Sequence, residues 1–187
     1  MSQIETGFQY IDDQLKGYDP NFVRSVMRCL NTIDENKEYD GAFSNTVALF
    51  IIAKECKYDP QICYGLCDLN GEKFYHAWLE LDGKVIDTSI YGVVNFHPAD
   101  IWETNWETPY IGTYADSPIK YGKFVFEDDW AQGPMAKIEG MLLEDYMKSL
   151  PEAGMWKFVT DYMNIPMSRN NIAHLAENIK GVKIERK

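Results

Sequence analysis

Three histidines and four cysteines are all that the 187 residues offer of the side chains that most often bind metals or attack carbonyls. Cys29, Cys56, Cys63 and Cys67 show none of the paired spacings of a zinc centre, and Cys63 and Cys67, four apart on what reads as a strand, make a poor metal clip. A phosphate-cradling glycine loop is missing too, so neither a metal nor a cofactor is expected. Positive charge is the scarcer sign: 18 Lys and Arg stand against 29 Asp and Glu, a net charge of −11. Such a balance argues against nucleic acid and anionic membrane surfaces as partners, and it suits a basic peptide. No apolar run reaches the roughly 20 residues of a membrane span. The opening MSQIETGFQYIDDQL has neither the basic nor the apolar region of a signal peptide. These absences predict a cytoplasmic protein whose four thiols are free and mostly buried. Internal repeats and low-complexity tracts are also lacking.

What is present is ordinary in amount and unusual in kind. Hydrophobic residues at 45% and charged residues at 25% fit a globular protein, and the length fits one domain over residues 1–187 with a sizeable core. Aromatic residues make up 14%, which points to a core or groove built with Tyr, Trp and Phe. Patterning gives the class as α+β, with a helix packed on an antiparallel sheet over about 39–131 and a helical extension over about 132–187.

The chain is organised around residues 39–89. The apolar run from Val47 to Ala53 follows Gly41, Ser44, Asn45 and Thr46, and predicts a buried helix opening near residue 42 and ending near Cys56. Gly41 is expected to permit a sharp entry into it. Two hairpins follow, turning at Asn70-Gly71 and Asp82-Gly83, the dipeptides best suited to two-residue turns. Two-residue turns fix the register, placing Gly65 opposite His76 and Trp78 opposite Asp87. His76 and Asp87 are then diagonal neighbours on one face, within side-chain reach. Gly65 is expected to leave space beside the imidazole, into which the start of the helix projects.

These residues resemble a family. Gly41-Ala42-Phe43-Ser44-Asn45-Thr46 at a helix start, Tyr64-Gly65 on a strand, His76-Ala77-Trp78-Leu79-Glu80, and Val85-Ile86-Asp87 are similar to the transglutaminase-like, papain-like cysteine protease superfamily. The resemblance covers about residues 39–89. It implies a catalytic Cys at the helix start, a His on a strand and an Asp on the next, with Gly41, Ser44, Asn45 and Trp78 near the substrate. The chain departs from the pattern at one place: alignment on Phe43-Ser44-Asn45-Thr46 puts the nucleophile at Ala42. Ala42 reads as a cysteine replaced by alanine, either to hold the protein inert or naturally, in a pseudoenzyme; Ser44 is the other nucleophile candidate.

A thiol at position 42 would gain from the partial positive charge of the helix N-terminus and from an adjacent imidazole, which bring a thiol from about 8.5 into the range of about 3.5 to 7.5. His76 would carry the proton, Asp87 would orient the ring, and the backbone N–H of residue 42 would face the oxyanion. The implied activity is hydrolysis of a peptide, isopeptide or amide bond through a thioester. An amine acceptor in place of water makes a transglutaminase or acyltransferase, and a natural alanine makes a peptide- or protein-binding module.

The remainder is expected as follows. Residues 1–18 form a short helix or packed arm, and Asp19-Pro20 opens a helix with Phe22, Val23, Val26, Met27, Leu30 and Ile33 as its apolar stripe. Residues 90–130 read as a long aromatic loop with Trp102, Trp106, Trp130 and the turn residue His97, and with a strand at 120–127. Helices are predicted over 134–150 and 155–163, and a third, capped by Ser168 and carrying His174, ends near Lys180 before Gly181.

Overall fold

A computed structural model describes residues 3–35, 41–90, 109–127, 134–148 and 154–186. His97, Trp102, Trp106 and Trp130 lie outside the described residues. Within them are six α-helices: α1 (Gln3–Gln14), α2 (Pro20–Glu35), α3 (Ala42–Glu55), α4 (Leu143–Tyr146), α5 (Trp156–Met163) and α6 (Arg169–Ala176). The five strands β1 (Gln61–Leu69), β2 (Glu72–Leu81), β3 (Lys84–Asp87), β4 (Tyr110–Gly112) and β5 (Lys120–Lys123) form one antiparallel sheet in the order β4-β3-β2-β1-β5. None of the described helices is long and apolar enough to cross a membrane.

Both hairpins take the register that their turns dictate. Asn70 and Asp82 adopt φ of 55° and 52°, with Gly71 and Gly83 also at positive φ, the twist that lets two residues join paired strands. Gly65 pairs with His76, and Leu81 with Lys84. The β2–β3 ladder stops at Leu79 and Ile86, so Trp78 and Asp87, though in register, are not a paired position.

α3 opens at Ala42 and ends at the cap residue Cys56. Every residue from Ser44 to Ala53 is buried, because the helix lies between the sheet (β2 and β1) and the helices α2 and α5. A helix covered on all sides needs no polar face, which is why its apolar run is continuous. Gly41 has φ −89° and ψ 109°, an extended conformation open to any residue. The entry therefore does not draw on the extra backbone freedom expected of Gly41.

The main core cluster draws on every helix from α1 to α6 and runs from Ile11 to Ile184. α1 also guards a sheet edge: the Tyr10 hydroxyl donates to the Ile111 carbonyl (3.0 Å) and accepts from its N–H (3.1 Å), occupying backbone groups that an open edge would expose. Asp19 caps α2 through the Asn21 N–H at 2.7 Å, with Pro20 in the first turn.

The helix predicted over 134–150 is not formed as one. A 3-10 turn at Pro134–Lys137 gives way at Gly140 (φ 78°), and α4 follows as a short separate helix. Its backbone groups are spent on the C-terminal segment instead: Gly140 N–H bonds the Ile184 carbonyl, Ile184 N–H the Met141 carbonyl, and Leu143 N–H the Val182 carbonyl. Ser168 caps α6 as predicted, accepting from the Asn171 N–H. That helix tightens to a 3-10 turn at Glu177–Ile179 ahead of Gly181.

Candidate active site

Alternation along β2 separates two sets of side chains. Ala77, Leu79 and Leu81 join the main cluster with α3. Phe74, His76 and Trp78 project to the other face, where Cys63, Cys67, Val85, Ile90, Tyr110 and Ile119 form a second cluster.

On that second face the sheet brings His76 and Asp87 together. His76 Nε2 lies 2.9 Å from both Asp87 oxygens, and the two side chains are 1% and 0% exposed. Asp87 is held further by the Ile90 N–H on Oδ1 (2.9 Å) and by the Tyr121 hydroxyl on Oδ2 (2.7 Å). Three donors converge on one buried carboxylate, which is what a buried charge requires. Burial, followed by the charge of Asp87, raises the Tyr121 hydroxyl well above its ordinary value. It therefore stays protonated and acts as a donor. With Nε2 committed to Asp87, Nδ1 is the ring nitrogen left to take and return a proton.

The start of α3 meets the sheet close to this pair in the chain. Asn45 donates through Nδ2 to Ser89 Oγ (3.2 Å), two residues past Asp87, and accepts from the Tyr162 hydroxyl at 2.6 Å. Phe43 packs edge-on against Tyr64, the residue before Gly65, and against Tyr146. Ser44 Oγ is 3.1 Å from the Tyr146 hydroxyl, so the alternative nucleophile is engaged away from His76. Among the described residues no hydrogen bond joins the first turn of α3 to His76, and α3 lies on the face opposite the imidazole.

The space beside Gly65 is not where the two halves approach. A Cβ there would lie 1.9 Å from the Gly122 carbonyl oxygen and 3.0 Å from the Phe124 nitrogen, so β5 fills the gap expected for the helix. On the other side β3 stops at Asp87, which leaves His76 with a strand neighbour, Gly65, on one side only among the described residues. Ser89, bonded to Asn45, stands at that end.

Trp78 is fully buried, so it does not present a surface to substrate. Its Nε1 donates to the Tyr114 hydroxyl, which donates to Glu80 Oε2; Lys123 binds the same oxygen at 2.7 Å. Burial pushes Glu80 up, and the Lys123 and Tyr114 hydrogen bonds more than offset it, leaving the carboxyl below its usual range. This network ties β5 to β2 beneath the Tyr121 ring, which packs tilted on Trp78 at 4.7 Å. Sequence reasoning missed Tyr121 and Lys123. The signal was the alternation over residues 120–127, which gave a strand, formed over Lys120–Lys123, but not its place in the sheet. His174, on α6, pairs with Glu55 on the surface.

Burial raises the Cys56 thiol to about 11 and that of Cys63 to about 12, and it raises Cys67 as well. Thiolate is the attacking form. The chain as it stands should therefore show no fast phase with a disulfide reagent at pH 7, and four reactive thiols once unfolded in urea. A fast native phase would move the nucleophile to one of these cysteines. Among the described residues no group of three His, Cys, Asp or Glu side chains converges to hold a metal. Compared with known families, curated proteins and solved structures, the chain matches none of the three.

Proposed function

We propose that this is a cysteine-type acyl-transfer domain, a hydrolase of a peptide, isopeptide or amide bond, with His76 as general base, Asp87 as its orienting carboxylate and position 42 as the nucleophile position. The observation that carries the reading is the buried His76–Asp87 pair, with Nε2 at 2.9 Å from both carboxylate oxygens. Two further donors, the Ile90 N–H and the Tyr121 hydroxyl, hold that carboxylate against the ring. The resemblance over residues 39–89 agrees with it.

With cysteine at 42, the helix N-terminus and the imidazole would hold a thiolate. The sulfur attacks the carbonyl carbon, and the backbone N–H of residue 42 faces the developing oxyanion. The imidazolium gives its proton to the leaving nitrogen as the C–N bond breaks, leaving a thioester. Water, losing a proton to His76, attacks that thioester and the C–S bond breaks, returning the thiolate. An amine in place of water makes the same site a transglutaminase or acyltransferase. The reaction requires the sulfur and Nδ1, which start from opposite faces of the sheet, to meet at the end of β3, where Asn45 bonds Ser89.

Ala42 itself favours a second reading: with no thiol, the chain binds an acyl or peptide group without turning it over. The acidic surface suits a basic peptide in either case.

One experiment separates the two. In the Ala42→Cys protein, alkylation followed from pH 5 to pH 9 should stay fast below pH 7, and should fall to ordinary thiol behaviour when His76→Ala is added. Labelling that rises only near pH 8.5 and ignores His76 would sink the enzyme reading and leave the binding module.

A further inference from the structure

We propose that Tyr121 is a positioning residue of this site: its hydroxyl locks the Asp87 carboxylate and, through it, keeps the His76 proton on Nε2. The proposal rests on the reading of His76 as general base.

The geometry is specific. Asp87 Oδ1 is shared between His76 Nε2 and the Ile90 N–H, both at 2.9 Å. Oδ2 is shared between His76 Nε2, at 2.9 Å, and the Tyr121 hydroxyl, at 2.7 Å. The backbone N–H fixes one oxygen and the phenol the other, so the carboxylate plane cannot turn about its bond to Cβ without breaking a charge-assisted hydrogen bond. A carboxylate only accepts, which forces the ring nitrogen facing it to be the protonated one. The tautomer of His76, and thus the availability of Nδ1, depends on that plane.

Tyr121 reaches Asp87 from β5, at the far edge of the sheet, across β1 and β2. Its ring is fixed on the way, 4.7 Å from Trp78 and 6.0 Å from Tyr114. β5 is itself bound to β2 by the Lys123–Glu80 ion pair and to the Gln61 side chain by Lys123. The phenol packs against the second core cluster with its hydroxyl aimed at a fully buried carboxylate oxygen. Such a hydroxyl costs more to bury than a phenylalanine edge unless it is hydrogen-bonded, and its bond goes to Asp87 Oδ2.

Tyr121→Phe keeps the ring and its packing and removes the hydroxyl alone. In the chain as it stands, nitrogen NMR of His76 should show one neutral tautomer, protonated on Nε2, and the Phe variant should show a mixture of the two. In the Ala42→Cys protein, the same change should slow alkylation at pH 6 by about tenfold, the worth of one charge-assisted hydrogen bond, and leave the rate at pH 9 within about twofold. In an Asp87→Asn background the Phe change should add nothing at pH 6, because both act through one carboxylate. A single unchanged tautomer in Tyr121→Phe, or an additive effect in the Asp87→Asn background, overturns the proposal. Should alkylation prove indifferent to His76, the enzyme reading fails, and the tautomer measurement still decides the role of Tyr121 by itself.

Discussion

Gly65→Ala is expected to cost about 3 kcal/mol or more of stability, among the largest effects a single methyl group can have on this fold. The added Cβ would stand 1.9 Å from the Gly122 carbonyl oxygen, and the atom it meets is backbone, which cannot swing aside as a side-chain end would. The closeness is mutual: a Cβ on Gly122 would fall 2.0 Å from the Leu66 carbonyl oxygen. β1 and β5 therefore approach closely at two successive pairs, Gly65 with Lys123 and Leu66 with Gly122, and a methyl group on either glycine must push the strands apart. That displacement breaks the Leu66 N–H to Val125 and Phe124 N–H to Tyr64 hydrogen bonds and moves Tyr121 and Lys123 with β5. Gly83→Ala is the fitting comparison. Its φ is also positive, at 76°, but nothing lies within 4 Å of the new Cβ, so it should cost only the backbone term of about 1–2 kcal/mol. Urea unfolding of the two variants measures the difference. A cost for Gly65→Ala no larger than that for Gly83→Ala would show that β5 yields freely and that the strand contact is loose.

How much of this was legible in the sequence depends on how far apart in the chain the causes lie. The hairpins were legible to the residue, because a two-residue turn leaves one possible register and Asn-Gly and Asp-Gly name the turn. From that register alone the approach of His76 to Asp87 follows. α3 was legible as well, since an uninterrupted apolar run of helical length has to be covered on every side. The opposite facing of α3 and the imidazole overturns the expected approach of the helix start to His76, although the sequence carries the signal: Ala77, Leu79 and Leu81 share a parity that His76 lacks, and an apolar helix packs on the apolar parity. Reading Gly65 as a gap failed because its other neighbour, β5, lies 55 or more residues later and is four residues long. No local pattern announces such a pairing. The same holds for residues 134–148, where helical spacing is overridden by Gly140 and by backbone bonds to residues 182–184. Tyr121 was missed for the same reason: the strand over 120–127 was legible, but its place beside β1 was not.

Asp87→Asn, introduced into the Ala42→Cys protein, should abolish the low-pH reactivity of the thiol at position 42 while leaving the protein folded. Asparagine matches aspartate in shape, so the change tests charge and proton direction rather than volume. Its carbonyl oxygen can replace one carboxylate oxygen as acceptor for the Ile90 N–H or the Tyr121 hydroxyl, now held at 2.9 and 2.7 Å. The amide nitrogen then faces the remaining donor or His76 Nε2. A facing N–H can be satisfied only if Nε2 is unprotonated, which moves the ring proton to Nδ1 and removes the lone pair that must take the thiol proton. The imidazolium also loses the anion that stabilises it. In the serine triad the equivalent exchange costs about 10⁴ in turnover. For alkylation at pH 6 the ceiling is smaller: an ordinary thiol of pKa about 8.5 is under 1% thiolate there, so loss of the pair should slow labelling by about 10²-fold. At pH 9, where an isolated thiol is already mostly ionised, the variant and its parent should converge. The stronger change, Asp87→Ala, strands the His76, Tyr121 and Ile90 donors together and is expected to cost about 3–5 kcal/mol, the scale of breaking a buried charged pair. Labelling rates of Asp87→Asn that overlay the parent at pH 6 would mean that the carboxylate holds the sheet together and does nothing for the proton.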